Sequence, residues 1–299
     1  MVHHKVCPLC ASEKIKPHFR CTDHLVSKEV FEVFKCTDCS FEFTQDYPGE
    51  TEIGKYYESD DYISHSDTAK GFSNKIYRLV RNLMLKKKKR IIISHTCLQK
   101  GRILDIGCGT GYFAGEMKKA GWLVNGIEIN KKARDFAISR FGLEVISPGQ
   151  IDTLKAGSFD CITLWHVLEH FHDPFKYSSD ILRLLKPGGS CLVALPNSNS
   201  YDSGYFEEFW AAYDVPRHLW HFNPSSFSLF SEKSGFILKN IRTLPLDVFY
   251  ISILSKKNRG SKVPFFTGVL QALPFAFLSA FNRRKCSSVI YLLRKPSDQ

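Results

Sequence analysis

The first residues of the chain, MVHHKVCPLC, contain no apolar run. A secretory signal requires such a run, so we expect none and expect a reducing, cytoplasmic setting. In that setting the ten cysteines predict metal ligands or buried thiols rather than disulfides. Hydrophobic residues make up 43% of the 299 residues, which is enough for a core and excludes a disordered chain. At roughly 100–200 residues per domain, the length predicts one large domain or a large one with a small one.

Acidic residues are too few to balance the basic ones, since 41 Lys and Arg face 30 Asp and Glu and leave a net charge of +11. The excess lies in the run Lys86-Lys87-Lys88-Lys89-Arg90 and in the C-terminal stretch with Lys256, Lys257, Arg259, Lys262, Arg283, Arg284 and Lys285. The simplest interpretation of such a run is a solvated helix face. The alternatives are contact with an anionic membrane, an anionic small substrate or nucleic acid. No RNA-recognition signature accompanies the charge, so nucleic acid is not the expected partner.

Two CxxC pairs near the start predict a metal site. They are Cys7-Pro-Leu-Cys10 and Cys36-Thr-Asp-Cys39, and the alternation in residues 30–34 suits a strand leading into the second pair. Two such turns supply four thiolates for a structural zinc ion with no open coordination position. His18, Cys21 and His24 lie between the pairs and are alternative ligands. We predict a zinc-ribbon-like module over 1–45, then a linker and a basic helix over 46–98 that pack on the core.

A glycine-rich turn follows the short apolar strand at 102–106. It reads Gly107-Cys108-Gly109-Thr110-Gly111, and the position of the last glycine in a dinucleotide-binding fingerprint is occupied by Tyr112. Asp105 precedes the turn and would repel a pyrophosphate, whereas it would attract a ligand with an ammonium and a sulfonium group. The second strand ends at Glu128, where an acid suits hydrogen bonds to ribose hydroxyls. These features disfavour a nicotinamide-dependent oxidoreductase.

The segments LDIGCGTG and GIEIN, within residues 103–130, resemble the first two motifs of class I S-adenosylmethionine-dependent methyltransferases. The resemblance covers about 100–243 and resumes at 286–295. It implies an α/β fold in the domain 99–299, namely a Rossmann-like, doubly wound sheet of seven strands with the last strand antiparallel. A helical insertion over 245–285 would precede that strand. It also implies S-adenosylmethionine as cofactor, with these expected binding residues: Asp105, Gly107, Gly109, Gly111, Glu128, Ile129, Gln150, Ile151 and His166.

The pair Glu169-His170 follows the predicted fourth strand, a position that faces the ligand crevice of such sheets. It resembles the pair found in ubiquinone-pathway O-methyltransferases and in sugar C-methyltransferases, and the latter also carry an N-terminal zinc module. We expect His170 to be the base that takes the acceptor's proton, with Glu169 orienting it. The alternatives are a joint metal site or a structural histidine at a helix start. The Asn/Asp-Pro-Pro-aromatic box of methyltransferases that act on the amines of nucleobases is missing after this strand.

The stretch 209–222 is dense in aromatic residues, histidine and arginine. One interpretation is a loop that covers the core with aromatic anchors. The other is a wall of the acceptor pocket, for which we predict Tyr213, Arg217, His218 and His221, with Arg217 clamping an anionic group.

Residues 263–281 contain no charge and are flanked by basic clusters. Their length suits a membrane span, but a span would place the sixth and seventh strands of one sheet on opposite sides of a membrane. Two interpretations remain. One is a helical hairpin that caps the pocket or forms an oligomer interface, and the other is contact with a membrane surface.

The sequence therefore predicts an enzyme of class EC 2.1.1.- that transfers a methyl group from S-adenosylmethionine. The acceptor atom would be an oxygen or carbon of a small-molecule, sugar-like or lipid-linked compound, and the protein would be cytoplasmic or peripheral to the membrane. The alternative is an RNA-modifying methyltransferase or RNA-binding protein that uses the basic clusters and the zinc module.

Overall fold

The computed structural model describes residues 1–58 and 72–297, without the side chains of 72–78. The middle of the predicted linker, 59–71, lies outside the described residues.

A small antiparallel sheet lies next to the two cysteine pairs. Strands β1 (Ile15–Thr22) and β2 (Val30–Cys36) form a hairpin, and β3 (Glu42–Gln45) pairs with β2. Phe31 and Val33 are buried and their neighbours along β2 are exposed or partly buried, as a period of two requires. The fourth strand is β9 (Trp220–His221), which pairs with β3. A segment from far along the chain therefore completes the N-terminal sheet.

The larger sheet has seven strands in the order β10-β11-β8-β7-β4-β5-β6. Its members are β4 (Arg102–Ile106), β5 (Leu123–Ile127), β6 (Glu144–Ile146), β7 (Phe159–Trp165), β8 (Leu185–Pro196), β10 (Ile237–Thr243) and β11 (Ser288–Arg294). Strand β11 runs antiparallel to both neighbours, whereas β4, β5, β6, β7 and β8 are parallel. The predicted α/β fold, with seven strands and an antiparallel last strand, is confirmed.

Helices cover both faces of this sheet, so β7, β8 and β11 are buried along nearly their whole length. They are α1 (Phe72–Thr96), α2 (Tyr112–Lys119), α3 (Lys131–Phe141), α4 (Pro174–Leu184), α5 (Tyr201–Phe206) and α6 (Pro224–Lys233). The strand order reverses at β4, whose neighbours β5 and β7 lead away in opposite directions. A crevice therefore opens at the carboxyl ends of these three strands, where ligands bind in sheets of this kind.

Helix α1 carries the basic run and packs on the core. Ile91 and Ile92 are buried against Ile103 and Met117, and Lys89 pairs with Glu116 of α2 at 2.6 Å. Lys87, Lys88 and Lys89 are partly buried, whereas Lys86 and Arg90 are exposed, because the apolar face of the helix fixes its rotation.

The insertion between β10 and β11 is a helical hairpin of α7 (Asp247–Asn258) and α8 (Pro264–Phe281). A Cβ atom at Gly268 would lie 2.5 Å from the Cα of Ile253, so this glycine allows the two helices to approach closely. By length and composition α8 could cross a membrane, with a mean hydropathy of 1.5 and 22% of it buried. However, β10 and β11 at the two ends of the hairpin pair in one sheet. The helices therefore lie against the domain, with an apolar face exposed at Phe265, Phe266, Leu270, Leu273, Phe277 and Phe281.

Candidate active site

The glycine turn joins β4 to α2 at the crevice. Gly107, Gly109 and Gly111 have φ angles of +68°, +55° and +77°, a left-handed conformation that favours glycine. A Cβ at Gly107 would lie 2.4 Å from Val167, and one at Gly111 would lie 2.7 Å from Ala137. Gly109 has no neighbour within 4 Å at that position. The loop is thus packed at both ends and open at its middle, where a ligand can approach the backbone.

Two acids flank this loop. Asp105 is buried, its Oδ1 accepts a hydrogen bond from Thr163 Oγ1 at 2.7 Å, and burial raises its pKa to about 7. Glu128 follows β5, and its carboxylate accepts hydrogen bonds from the backbone N–H groups of Gly109 and Asn130, both at 2.8 Å. Glu128, which is predicted to bind the ribose of the cofactor, thus lies directly against the open middle of the glycine turn. This donor and acceptor set fits the nucleoside end of S-adenosylmethionine.

The remaining predicted nucleoside contacts follow β5 and β6. The side chain of Ile129 is 80% exposed, which leaves apolar surface for a ligand. Gln150 and Ile151 lie in a short 3-10 helix over Pro148–Thr153. Gln150 Oε1 accepts from the N–H of Ser147 at 3.1 Å and caps that helix, while Ile151 packs into the core. Contacts of these three residues with the cofactor remain predictions.

A cavity of about 690 Å³ lies beside the crevice. Its walls come from the end of β7, from the stretch after α5, from α7 and from the end of β1. Its polar lining includes His166, His170, His218, Asp214, Asp247 and Lys88. Cavities of this size suit a small organic molecule, and the position next to the glycine turn makes this one the candidate acceptor site.

His166 lies between two carboxylates. Its Nδ1 is 3.6 Å from Glu169 Oε1 and its Nε2 is 3.3 Å from Asp247 Oδ2. Burial alone would lower its pKa, but Asp247 and Glu169 outweigh burial and raise it to about 9. The residue also has a left-handed φ of 58°, a strained conformation that occurs at functional sites. The two carboxylates therefore favour the protonated form of His166, and its contact with the cofactor remains a prediction.

His170 is a neutral imidazole. Burial and the neighbouring His218 lower its pKa to about 4. Its Nδ1 lies 3.0 Å from the carbonyl oxygen of Arg217 and 3.0 Å from the hydroxyl of Tyr57. Because a carbonyl only accepts, Nδ1 carries the proton and Nε2 keeps the lone pair.

Glu169 and His218 complete this polar end of the cavity. Glu169 is fully buried, and no described residue donates a hydrogen bond to its carboxylate. His218 has its Nδ1 at 2.8 Å from the carbonyl oxygen of Ala212. Ligand atoms of Glu169, His170 and His218 lie within 4.8 Å of one another, a spacing that also suits the metal-site alternative.

Arg217 does not point its guanidinium into the cavity as an anion clamp. Arg217 is fully buried; its guanidinium pairs with Asp23 at 2.8 Å and with Asp214 at 2.6 Å, and it donates to the carbonyl oxygen of Tyr56 at 2.8 Å. Because Asp23 belongs to the N-terminal module and Asp214 to the 209–222 stretch, the arginine links these two parts of the chain. The predicted clamp is replaced by this structural role.

The other predicted acceptor residues divide into two groups. Tyr213 and His218 line the cavity. His221 is buried in β9, where its Nε2 lies 3.0 Å from Thr44 Oγ1 of β3. It therefore supports the junction between the two sheets and does not line the acceptor site, because strand pairing turns it toward the module.

The four cysteines of the CxxC pairs form one cluster. The Sγ atoms of Cys7 and Cys39 are 3.6 Å apart, as are those of Cys10 and Cys36. Thiolates bound at about 2.3 Å to one tetrahedral zinc ion lie about 3.8 Å apart, so the cluster fits this metal. The alternative ligands lie outside this cluster. Cys21 Sγ contacts the carbonyl oxygen of Glu208, His24 packs on Phe209 and His18 packs on Phe19.

Comparison with known proteins decides the family. A family model described as a methyltransferase domain matches residues 77–239, more than half of the chain. The ubiquinone biosynthesis O-methyltransferase of Nitrosococcus oceani is 33% identical over 167 residues, which cover 51% of this chain and 70% of that enzyme. The chain belongs to the class I S-adenosylmethionine-dependent methyltransferases. The corresponding enzyme of Thiobacillus denitrificans is 32% identical but is matched over only 46% of its length, so the acceptor does not follow from these relatives.

Solved structures support the fold of this methyltransferase. Phosphoethanolamine N-methyltransferase 2 of Haemonchus contortus, in complex with S-adenosyl-L-methionine, has a TM-score of 0.53 at 16% identity and covers 86% of this chain and 62% of its own. The [4+2]-cyclase SpnF has a TM-score of 0.50 at 17% identity and covers 71% of this chain and 82% of its own. Because one neighbour is a methyltransferase and the other a cyclase, the fold alone does not fix the reaction.

Several residues of this methyltransferase's site carry no recognisable signal in the sequence. Asp247 begins the insertion, and no motif marked it. Tyr57 was seen only as part of a linker, although it contacts His170. Lys88 was grouped with a basic run, although it lines the cavity. Only the helical periodicity of α1 could have indicated which lysine turns inward.

Proposed function

We propose that this methyltransferase transfers the methyl group to an oxygen of a hydroxylated small molecule bound in the 690 Å³ cavity. The observation that carries the proposal is the position of the His170 imidazole, whose Nδ1 is held by the carbonyl oxygen of Arg217 so that Nε2 keeps its lone pair. It lines the cavity three residues after Val167, which packs against the glycine turn. A proton acceptor thus lies next to the cofactor crevice, and methylation of a hydroxyl group needs one.

The proposed chemistry is an in-line displacement. S-adenosylmethionine, when bound, supplies a methyl group activated by its sulfonium. The acceptor oxygen bonds to this methyl carbon as the carbon–sulfur bond breaks, and the hydroxyl proton passes to Nε2 of His170. The carbonyl oxygen of Arg217 holds the opposite nitrogen of the ring, and Glu169 lies close enough to stabilise the imidazolium that forms. Tyr213 and His218 shape the pocket around the acceptor.

The acceptor atom can be identified from the product. The protein is incubated with cell extract and S-adenosylmethionine that carries a ¹³C-labelled methyl group, and the product is examined by carbon NMR. We expect the methyl resonance in the range of methyl ethers. A resonance in the aliphatic C-methyl range would assign the reaction to carbon and overturn the oxygen proposal.

Glu128 is proposed to bind the ribose hydroxyls of the cofactor. Replacing it with alanine removes charged hydrogen bonds worth about 1.5–3 kcal/mol each, so we expect the affinity for S-adenosylmethionine to fall about tenfold to a hundredfold in calorimetric titration. Glu144→Ala is the matched control, because this glutamate lies exposed in β6 and, within the described part of the chain, its side chain hydrogen-bonds to Asn125 alone. Equal affinity of Glu128→Ala and wild type would refute the ribose assignment.

The hairpin is proposed to rest on an anionic lipid surface and to present a lipid-linked acceptor to the cavity. Large apolar side chains are exposed along α8, and exposed cations flank it at Lys257, Lys262, Arg283 and Arg284. Tyr250, Ile251 and Leu254 of α7 line the cavity, so the hairpin borders its wall. Apolar surface flanked by cations fits an anionic phospholipid bilayer.

Vesicle sedimentation tests this contact. We expect wild type to sediment with phosphatidylglycerol-containing vesicles, and Phe266→Asp to bind about tenfold or more weakly because burial of one Phe contributes about 1.5–3 kcal/mol. Leu123→Asp is the control, since Leu123 is 70% exposed at the start of β5. Equal vesicle binding by Phe266→Asp and wild type would contradict the proposal. It would also be contradicted if wild type did not bind vesicles and Phe266→Asp changed the oligomeric state of the protein instead.

A further inference from the structure

Asp23 is a buried carboxylate of the N-terminal module that shapes one wall of the acceptor cavity. It lies directly after β1, and its side chain is fully buried. Three backbone N–H groups donate hydrogen bonds to this carboxylate at 2.8 to 3.1 Å, those of Leu25, Val26 and Ser27. The Ser27 hydroxyl donates to it at 2.9 Å. A loop held in this way has a fixed shape, and it lines the cavity with Thr22, His24 and Leu25.

The same carboxylate also binds Arg217. Its Oδ1 accepts a hydrogen bond from Nη2 of Arg217 at 2.8 Å. The guanidinium donates in addition to Asp214, at 2.6 and 3.0 Å, and to the carbonyl oxygen of Tyr56, at 2.8 Å. Although burial raises the pKa of Asp23, Arg217 and the N–H groups of the loop outweigh burial and lower it to about 2. A planar cation bound by two carboxylates and a carbonyl oxygen is fixed in position.

The backbone around Arg217 holds the segment that carries the proposed base. The carbonyl oxygen of Arg217 accepts the hydrogen bond from Nδ1 of His170 at 3.0 Å. Two residues further on, the N–H of Leu219 donates to the carbonyl oxygen of Glu169 at 2.8 Å. The hydroxyl of Tyr57 also lies 3.0 Å from Nδ1 of His170. A shift of Arg217 would therefore move the carbonyl oxygen that keeps the proton on Nδ1 and leaves the lone pair on Nε2.

We propose that Asp23 is a positioning residue for methyl transfer. Through Arg217 it fixes the carbonyl oxygen that orients His170 and selects its tautomer. Through the loop at 22–27 it fixes the cavity wall against which the acceptor lies. The N-terminal module thus contributes to the orientation of the base as well as to the cavity. The proposal rests on the proposed function, because it requires His170 to be the base.

A double-mutant cycle tests this link between Asp23 and His170. The initial rate of label transfer from methyl-labelled S-adenosylmethionine to cell extract is measured for wild type, Asp23→Asn, His170→Ala and the protein with both changes. We expect Asp23→Asn to lower the rate about tenfold to a hundredfold, because a displacement of about 1 Å in a reacting group costs up to about a hundredfold. Its affinity for S-adenosylmethionine should stay unchanged. In the His170→Ala background it should cause no further loss, because the base that Asp23 positions is absent.

The tautomer of His170 is a second measurement. In protein with ¹⁵N-labelled histidine, the ring resonances of His170 are assigned by their absence from His170→Ala. We expect the proton on Nδ1 in wild type and a mixture of both tautomers in Asp23→Asn. Ser27→Ala is the matched control, because it removes one hydrogen bond to the same carboxylate and leaves the pair with Arg217 in place. We expect this control to keep the wild-type rate and tautomer.

A wild-type rate in Asp23→Asn would overturn the proposal. An equal loss of rate in both backgrounds would overturn it as well, because Asp23 would then only support the fold. If Asp23→Asn does not fold, as judged by lost cofactor affinity, Arg217→Lys replaces it in the cycle, because lysine keeps the buried charge but cannot bind all three partners. If His170→Ala keeps full turnover, the proposed function fails, and the tautomer measurement still decides whether Asp23 orients His170.

Discussion

Replacing His170 with alanine is expected to lower kcat by about a hundredfold or more, while the affinity for S-adenosylmethionine stays unchanged. A positioned base contributes about 10²–10⁴-fold to such reactions, and His170 touches the acceptor cavity rather than the glycine turn. The measurement is methyl transfer to the labelled extract fraction, together with calorimetric titration of the cofactor.

His172→Ala is the control for this change. His172 lies two residues further on, and its Nε2 bonds to the carbonyl oxygen of Pro48, outside the acceptor cavity. Full turnover of His170→Ala would remove the base from the mechanism. A loss of turnover that matched that of His172→Ala would show that the effect is structural.

The pH dependence of kcat also tests the assignment of His170 as the base. Because the pKa of His170 is lowered to about 4, the imidazole keeps its lone pair throughout the range in which an ordinary histidine becomes protonated. We therefore expect no loss of kcat between pH 8 and pH 5 from this group. The loss should begin only as pH falls toward 4.

We propose that the four-cysteine cluster binds zinc, so that replacing Cys36 with serine is expected to abolish zinc binding and unfold the N-terminal module. Zinc contributes about 10–16 kcal/mol to the folding of small zinc domains, and a module of this size cannot bury enough surface to fold without it. Acceptor methylation should be lost as well, because Cys21, Thr22, His24 and Leu25 of the module line the cavity. Cofactor affinity should persist, since the glycine turn belongs to the other sheet.

Cys97→Ser is the matched control because Cys97 is exposed and lies outside the cysteine cluster. Metal content by atomic emission, limited proteolysis and cofactor titration are compared among the three proteins. A Cys36→Ser protein that kept its zinc, or that lost zinc and still methylated the acceptor, would contradict this role of the module.

Local patterns predicted the parts of the site that lie close together in the sequence. The glycine turn and Glu128 each follow a strand directly, and the Glu169-His170 pair begins four residues after one, so the strand order brings them to one edge of the sheet. The four-cysteine site was equally predictable from the two CxxC pairs, because each pair lies on a single tight turn.

The roles that the sequence did not predict depend on contacts between residues far apart in the chain. The role of Arg217 depends on Asp23 and Tyr56, which lie far away in the chain. His221 turns toward Thr44 because β9 pairs with β3. The inward position of Lys88 depends on how α1 rotates against the core. In each case the residue type was noticed, but its partner could be found only in the folded chain.

We propose that this methyltransferase modifies a small or lipid-linked hydroxylated compound by means of His170. The most direct measurement adds protein and methyl-labelled S-adenosylmethionine to extract, and then separates polar small molecules, lipids and RNA. We predict label in the small-molecule or lipid fraction with wild type and almost none with His170→Ala. Label in RNA, or equal labelling by the two proteins, would contradict the account.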